Sequence, residues 1–258
     1  MENLTTWKNY SNFAESRGTL VLNILQKHTA IKNKKILDFG CGTGGTAYVF
    51  AQQCATVTAI DITDNFAYNN EPIYFKIMST NNLQFNNEEF DIVILQDVLE
   101  HLPAVNRVLS EIRRVLKKNG IFFLSTPNRL SPLNFVCDPH WGLPFVSVLP
   151  RQGVAFLVKH VFRRDNRKRD DWAALVSLFR LKKLFENNGF KFEFKNVEAA
   201  KMLFKNPASV VCSSFHLKIV SYLKKAAAER LVYHLVNDEV GLFNYFINPT
   251  WYVVGKKV

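Results

Sequence analysis

Apolar and polar positions follow two rhythms along this chain. Short continuous apolar runs fall at Lys35–Phe39, Ala55–Ile60, Ile73–Met78, Phe90–Leu95 and Ile121–Leu124. Runs of this length mark strands buried on both faces of a parallel sheet. Between them apolar residues recur at helical spacing. Leu20, Leu22, Ile24 and Leu25 give a helical lead-in before Lys34, with Trp7, Tyr10 and Phe13 ahead of it. A second helix is predicted from Gly44 to Cys54. A third carries Val105, Val108, Leu109, Ile112, Val115 and Leu116 and stops at Asn119-Gly120. The alternation predicts a parallel sheet with helices on both faces. Ligands bind such sheets beyond the carboxyl ends of the strands, where Asp38, Asp61, Gln96 and Asn128 would project.

The rhythm then breaks. Residues 130–171 lose periodicity and are rich in Pro, aromatics and Arg, ending in the charged run Arg163–Asp171. A long irregular insert beside a ligand edge is more often functional than decorative. Trp172 to Asn188 reads as a helix, Phe190–Lys195 alternates like a strand with one solvated face, and Thr250–Gly255 reads as a final strand. These two strands are expected to pair antiparallel at the sheet edge. Residues 199–247, too long for a hairpin connection, read as amphipathic helices: core packing, a pocket roof, a dimer face or a membrane-surface element.

Composition narrows the picture only a little. The 258 residues carry a formal net charge of +11, which suits an anionic partner such as nucleic acid, a phospholipid surface or a phosphorylated substrate, or simply solubility. The four cysteines form no Cys-x-x-Cys pair, which argues against a zinc ribbon or a disulfide scaffold and fits a reduced cytoplasm. The polar start Met1–Thr6 does not read as a secretory signal, and no apolar run reaches the roughly eighteen residues a spanning helix needs.

The chemistry concentrates at Ile36-Leu37-Asp38-Phe39-Gly40-Cys41-Gly42-Thr43-Gly44-Gly45, an apolar strand running into a glycine-rich turn and a helix. Glycines serve where backbone turns sharply or touches a ligand. Asp61 ends the next apolar run, about twenty residues on, where an acid commonly grips a ribose diol. Gly40, Gly42 and Gly45 also spell the dinucleotide fingerprint, so a nicotinamide or flavin enzyme is one reading; a tight turn with no ligand is another. Asp38 stands against the first, because a pyrophosphate beside that carboxylate would be repelled and a cationic ligand held.

The glycine turn, Asp61, Asp97-Val98-Leu99-Glu100-His101 and Ser125-Thr126-Pro127-Asn128-Arg129 together resemble the class I S-adenosylmethionine (SAM)-dependent methyltransferases, in particular small-molecule O-methyltransferases of the ubiquinone-biosynthesis type. The resemblance spans Ile36–Arg129 well and Trp172–Phe194 moderately. It implies an α/β, Rossmann-like, doubly wound, mostly parallel seven-stranded sheet with an antiparallel C-terminal strand and inserted helices. One domain over 1–258 would comprise a helical lead-in or lid (1–33), a SAM-binding core (34–129), a substrate-side insert (130–171) and a C-terminal half (172–258) holding the helical insert.

Carried over residue by residue, the resemblance implies a cofactor site of Arg17, Asp38, Gly40, Cys41, Gly42, Asp61, Ile62 and Gln96. Arg17 would take the cofactor's carboxylate, Gly40 and Gly42 its methionine part, Asp61 its ribose, and Gln96 its edge. Cys41 is read as a backbone contact, not a nucleophile. Ser79 stands where relatives carry an acid for the adenine amine, a departure that a neighbouring asparagine could offset. His101 and His140 are the candidate general bases for an oxygen acceptor of high pKa. Asp97, Glu100 and His101 match ligand types that may hold a divalent ion in that group, but three close ligands on one turn are thin support, and no metal site is assigned.

The favoured expectation is a methyltransferase acting on a small-molecule acceptor, lipid- or glycan-linked and presented in the cytoplasm or at a membrane surface. An RNA or protein methyltransferase is the first alternative. Base-amine methylation is disfavoured because Gln96-Asp97-Val98-Leu99 stands where Asn/Asp-Pro-Pro-Tyr is expected, and no RNA-recognition module is visible. A non-catalytic SAM-binding interaction protein is the second alternative. Oligomeric state is left open.

Overall fold

Helices separate most strands of the first half of the chain as the apolar rhythm requires, but among the described residues the second, third and fourth strands follow one another without a helix between them. The computed structural model describes residues 2–69, 71–161, 173–211, 214–239 and 241–258, and within these the side chains of 2–12, 214, 215, 242 and 243 are left aside. The order is α1 (Glu2–Leu25), β1 (Lys35–Phe39), α2 (Gly45–Ala51), β2 (Thr56–Asp61), β3 (Ile73–Ile77), β4 (Phe90–Gln96), α3 (Val105–Val115) and β5 (Leu116–Pro127). The second half adds α4 (Pro132–Val136), α5 (Arg151–Phe156), α6 (Leu178–Asn187), β6 (Phe190–Phe194), α7 (Asn196–Lys205), α8 (Ser214–Lys225), α9 (Glu229–Leu235), α10 (Leu242–Phe246) and β7 (Thr250–Lys257).

The seven strands form one sheet in the order β3-β2-β1-β4-β5-β7-β6. β1 to β5 pair in parallel, and β7 runs antiparallel between β5 and β6. The expected fold class is therefore present. Successive strand residues face opposite sides, so each face has its own core. Leu37, Phe39, Val93 and Leu95 pack with Val108, Leu109 and Ile112 of α3 and Leu181, Leu184 and Phe185 of α6. Ile36, Val57, Ile92 and Ile94 pack on the other side with Leu20, Ile24 and Leu25 of α1 and Ala47 and Phe50 of α2. α1 buries Leu20, Val21, Leu22, Ile24 and Leu25. At ~1.5–3 kcal/mol for each fully buried aliphatic side chain, the lead-in is part of the core.

Four expectations need correction. Asn119-Gly120 does not stop a helix: α3 ends at Val115, and Asn119, with φ +60°, lies in an irregular stretch inside β5. The Trp172–Asn188 helix is shorter. α6 begins at Leu178, where the Ser177 hydroxyl accepts the Arg180 amide, while Val176 bridges to Asn128 in extended form; Trp172 lies outside the described residues. The aperiodic insert is not a plain loop, because it carries α4, α5 and a π-helical turn, Leu157–Val161, around a small core of Leu143, Val146, Val154 and Val158. The charged run Arg163–Asp171 lies outside the described residues. Asn128, expected at the ligand edge, is fully buried: its amide donates to the carbonyls of Tyr245 and Asn248, which fastens the end of β5 to the C-terminal helices.

Candidate active site

Parallel β1, β2 and β4 end at one edge of the sheet, and the glycine turn crosses that edge. Gly40, Gly42 and Gly44 all have positive φ, so the turn depends on their lacking side chains. The Gly40 and Cys41 amides bond back to the Ile60 carbonyl at 2.8 and 3.0 Å, which seats the turn over β2. A Cβ on Gly40 would meet Val98 at 2.6 Å, whereas one on Gly42 would meet nothing within 4 Å. The turn is therefore tightly packed at Gly40 and open at Gly42, where a ligand can approach backbone.

Asp38 lies under this opening, 2% exposed. Its carboxylate accepts the Ala47 amide, but Oδ2 has no hydrogen-bond partner. Burial, offset by that amide and reinforced by the nearby Asp61 charge, raises its pKa to about 7. A buried carboxylate with one oxygen unsatisfied is costly to ionise, and a cation beside it would offset that cost. Asp61 accepts the Gly42 amide through Oδ2 at 2.9 Å and the Thr63 amide and hydroxyl through Oδ1 at 3.0 Å. Ile62 beside it is 62% exposed, an apolar surface at the rim. Burial pushes the Cys41 thiol far up, the opposite of what a nucleophile needs.

α1 closes this cradle from above. Gln96 accepts the Thr46 hydroxyl at 2.7 Å and donates to the Arg17 carbonyl at 3.3 Å. The Arg17 guanidinium is buried, pairs with Asp97 and donates to Ser125 Oγ and the Val210 carbonyl. Ser125 donates to the other Asp97 oxygen at 2.7 Å. On the opposite flank the Tyr68 hydroxyl donates to Glu15 at 2.5 Å, and Tyr68 stacks on Tyr48. Asp97 is therefore held as the counter-ion of Arg17, and both of its oxygens are engaged.

A second cluster follows on the same edge. The helical turn Leu99–His101 directs Glu100 inward, where it is 1% exposed. Thr126 donates to Glu100 Oε2 at 2.9 Å, and His140 Nε2, brought in by the insert, lies 3.6 Å from Oε1. The rings of His101 and His140 meet edge to face with centroids 5.0 Å apart. Asp138 accepts the amides of His140 and Trp141 and lies 4.0 Å from His140 Nδ1. Burial works to lower the His140 pKa, but Glu100 and Asp138 outweigh it and leave it raised; burial works to raise Glu100, but His140 and His101 leave it lowered. The arrangement is a buried carboxylate facing one imidazole, with a second imidazole at its edge.

Glu100, His101 and His140 also offer ligand atoms within 4.8 Å of one another, a set that could hold a metal ion. It differs from the Asp97–Glu100–His101 set of the sequence reading, which Asp97's pairing with Arg17 takes apart. Sequence reasoning brought His101 and His140 forward separately; the structure brings them together. It missed the roles of Asp138 and Thr126, and of Arg151, whose guanidinium donates to the carbonyls of Glu100, His101 and Leu102. No spacing motif links these residues.

Residues 37–124 match the methyltransferase-domain family model. This stretch is similar to a methyltransferase domain over about a third of the chain. It holds both the glycine turn and the Glu100 turn and ends before the insert. Over 124 residues the chain is 34% identical to a ubiquinone biosynthesis O-methyltransferase of Haemophilus ducreyi, covering 43% of this chain and 52% of that protein. A protein of the same name from Bartonella tribocorum is 33% identical over 105 residues, 38% of this chain and 42% of its own. The chain thus spans about half the length of the curated relatives it matches. Among solved structures, a SAM-dependent methyltransferase from Thermotoga maritima aligns with TM-score 0.57 and 17% identity over 100% of this chain and 95% of its own. That likeness is one of fold, and it extends the methyltransferase fold to the whole chain.

Proposed function

We propose that this chain is a SAM-dependent methyltransferase that methylates an oxygen of a small molecule. The observation that carries the reading is the buried Asp38 carboxylate, its Oδ2 without a hydrogen-bond partner, beside the open Gly42 backbone, with Asp61 on the neighbouring strand. These residues fit SAM: Asp38 holds the ammonium, the Gly40–Gly42 backbone lies along the methionine part and Asp61 grips the ribose diol, while Arg17, expected on the carboxylate, is instead buried against Asp97 and Ser125. Bound SAM supplies an electrophilic methyl group on a sulfonium centre. The chain's own contribution is alignment, exclusion of water and movement of one proton. His140, held against Glu100, orients the acceptor; His101 takes the hydroxyl proton. The name shared by the curated relatives supports oxygen as the acceptor atom.

If an ion is used, Glu100, His101 and His140 would hold it, and it would lower the acceptor hydroxyl's pKa. The insert exposes Val136, Phe145, Phe156 and Val161. This apolar rim supports an acceptor presented at a membrane surface. Among the described residues no helix is long and apolar enough to cross a membrane.

Calorimetric titration with SAM and, separately, NADH, on the wild type and Asp61→Ala, tests the reading. SAM binding that weakens in the variant is expected. Binding of NADH instead, or no SAM binding, would sink it. Co-sedimentation with anionic phospholipid vesicles tests the membrane contact, and the absence of any vesicle-bound fraction would remove it.

A further inference from the structure

The turn that carries Glu100 and His101 is only three residues long and ends in carbonyls that no following helical turn satisfies. Its own amides close only two bonds, His101 to the Val98 carbonyl at 3.0 Å and Leu102 to that of Leu99 at 3.2 Å. Such a turn does not hold two side chains in register by itself. One guanidinium supplies what is missing. Arg151, the first residue of α5 in the insert, donates to the Glu100 carbonyl at 2.9 Å, to that of His101 at 3.2 Å and to that of Leu102 at 2.6 Å. Ala174 adds its amide to the Glu100 carbonyl at 2.9 Å.

Three consecutive carbonyls gripped by one planar fork fix the peptide plane that follows Glu100 and those on both sides of His101. Those planes set where the two side chains leave the backbone. The same insert delivers His140 to Glu100 Oε1, so backbone and side chain of the turn are held from one direction. A lysine cannot replace this grip, because its ammonium is a point charge without the fork geometry. The bonds are charge-assisted and lie at the negative end of a helical turn, which favours a cation there.

We propose that Arg151 is a positioning residue, locking the Glu100–His101 turn so that both side chains meet His140. The insert is then a structural half of the reactive cluster as well as a cover for the acceptor. The grip itself rests on the bonds described; only its service to catalysis rests on the methyltransferase reading.

The test uses the full chain with nitrogen-labelled histidine, observed by NMR at one fixed pH, with His28 and His234 as internal controls. Arg151→Ala is expected to move the ring signals of His101 and His140 and leave the controls in place. Arg151→Lys is expected to show the same displacement, and guanidinium ion added to the alanine variant at millimolar concentration is expected to return the signals toward the wild-type positions. Ring signals in either variant that coincide with wild type would overturn the proposal, and Arg151→Lys decides if the alanine variant does not fold. SAM titration of the same samples separates the two readings. Arg151→Ala is expected to keep its SAM affinity within about twofold, and loss of binding would make Arg151 a general fold residue and overturn its assignment. If the wild type itself binds no SAM, the methyltransferase reading fails while the ring signals still decide the grip. With an acceptor in hand, kcat is expected to fall about a hundredfold with KM little changed, the cost of misplacing reacting groups by about an ångström.

Discussion

The cradle around Gly40 and the turn around Glu100 lie at the same edge of one sheet, yet they are assembled differently. The cradle is built from neighbours in sequence: Asp38, the glycines and Asp61 span a single strand–helix–strand unit, and their contacts are mostly backbone. The reactive cluster joins Glu100 and His101 to Thr126, Asp138, His140 and Arg151, three segments linked by side chains. Local assembly suits a part that must always receive the same ligand. Long-range assembly lets an insert reshape one part without disturbing the other. The two halves are therefore expected to fail independently.

The largest effect expected from breaking this separation is Gly42→Val. Its side chain would fill the open approach at a positive φ, and SAM affinity is expected to drop about a thousandfold, ~4 kcal/mol, as read by calorimetry. Glu100→Ala comes next. Removing one partner of a buried ion pair costs about 3 kcal/mol, measured by urea unfolding, with SAM binding little altered. Simultaneous loss of SAM binding would show that the halves are coupled.

The pair also has a pH signature. His140 is raised, so its contribution is complete below its ordinary value and disappears as pH rises through the raised one. Glu100 is lowered, so its contribution is present above its ordinary value and disappears as pH falls through the lowered one. The stability difference between wild type and Glu100→Ala is therefore expected to peak between those limits. Asp61→Ala follows, with SAM binding weakened about tenfold, ~1.4 kcal/mol.

The smallest effect sharpens the account of the cradle. The Asp38 carboxyl is raised to about 7, so the ligand-free fold loses stability as pH climbs from the ordinary carboxylate range to that value. A cationic ligand needs the ionised form. SAM binding is expected to release up to about one proton below pH 7 and almost none well above it. Calorimetry in buffers of different ionisation enthalpy measures this directly, and equal heats in all buffers at pH 6 would contradict it.

The same contrast explains what was legible in the sequence. Apolar runs and glycines report local geometry, so the strands, the turn and Asp61 could be read directly. Asp97 looked like a metal-type ligand because it sits four residues before His101. Its actual partner, Arg17, lies on a helix 80 residues away in sequence and carries no local mark. Asn128 looked like a ligand contact because it ends a central strand; its partners are carbonyls from the far end of the chain. Arg151 stands in an aperiodic segment where nothing in the spacing distinguishes it from other surface arginines. Side chains that act through distant backbone leave no periodic trace.

α1 is fastened on both flanks of the cradle, by Glu15 to Tyr68 and by Arg17 to Asp97. A helix pinned in that way is a door with two latches, and on the reading proposed above both are expected to release before the used cofactor leaves. If the chain turns over as proposed, departure of the used cofactor is expected to set the pace of repeated turnover, as lid motions do in many enzymes. A first round of methylation is expected to outrun every later one, visible as a burst in rapid-quench kinetics. Tyr68→Phe is expected to raise the steady rate while leaving the burst unchanged.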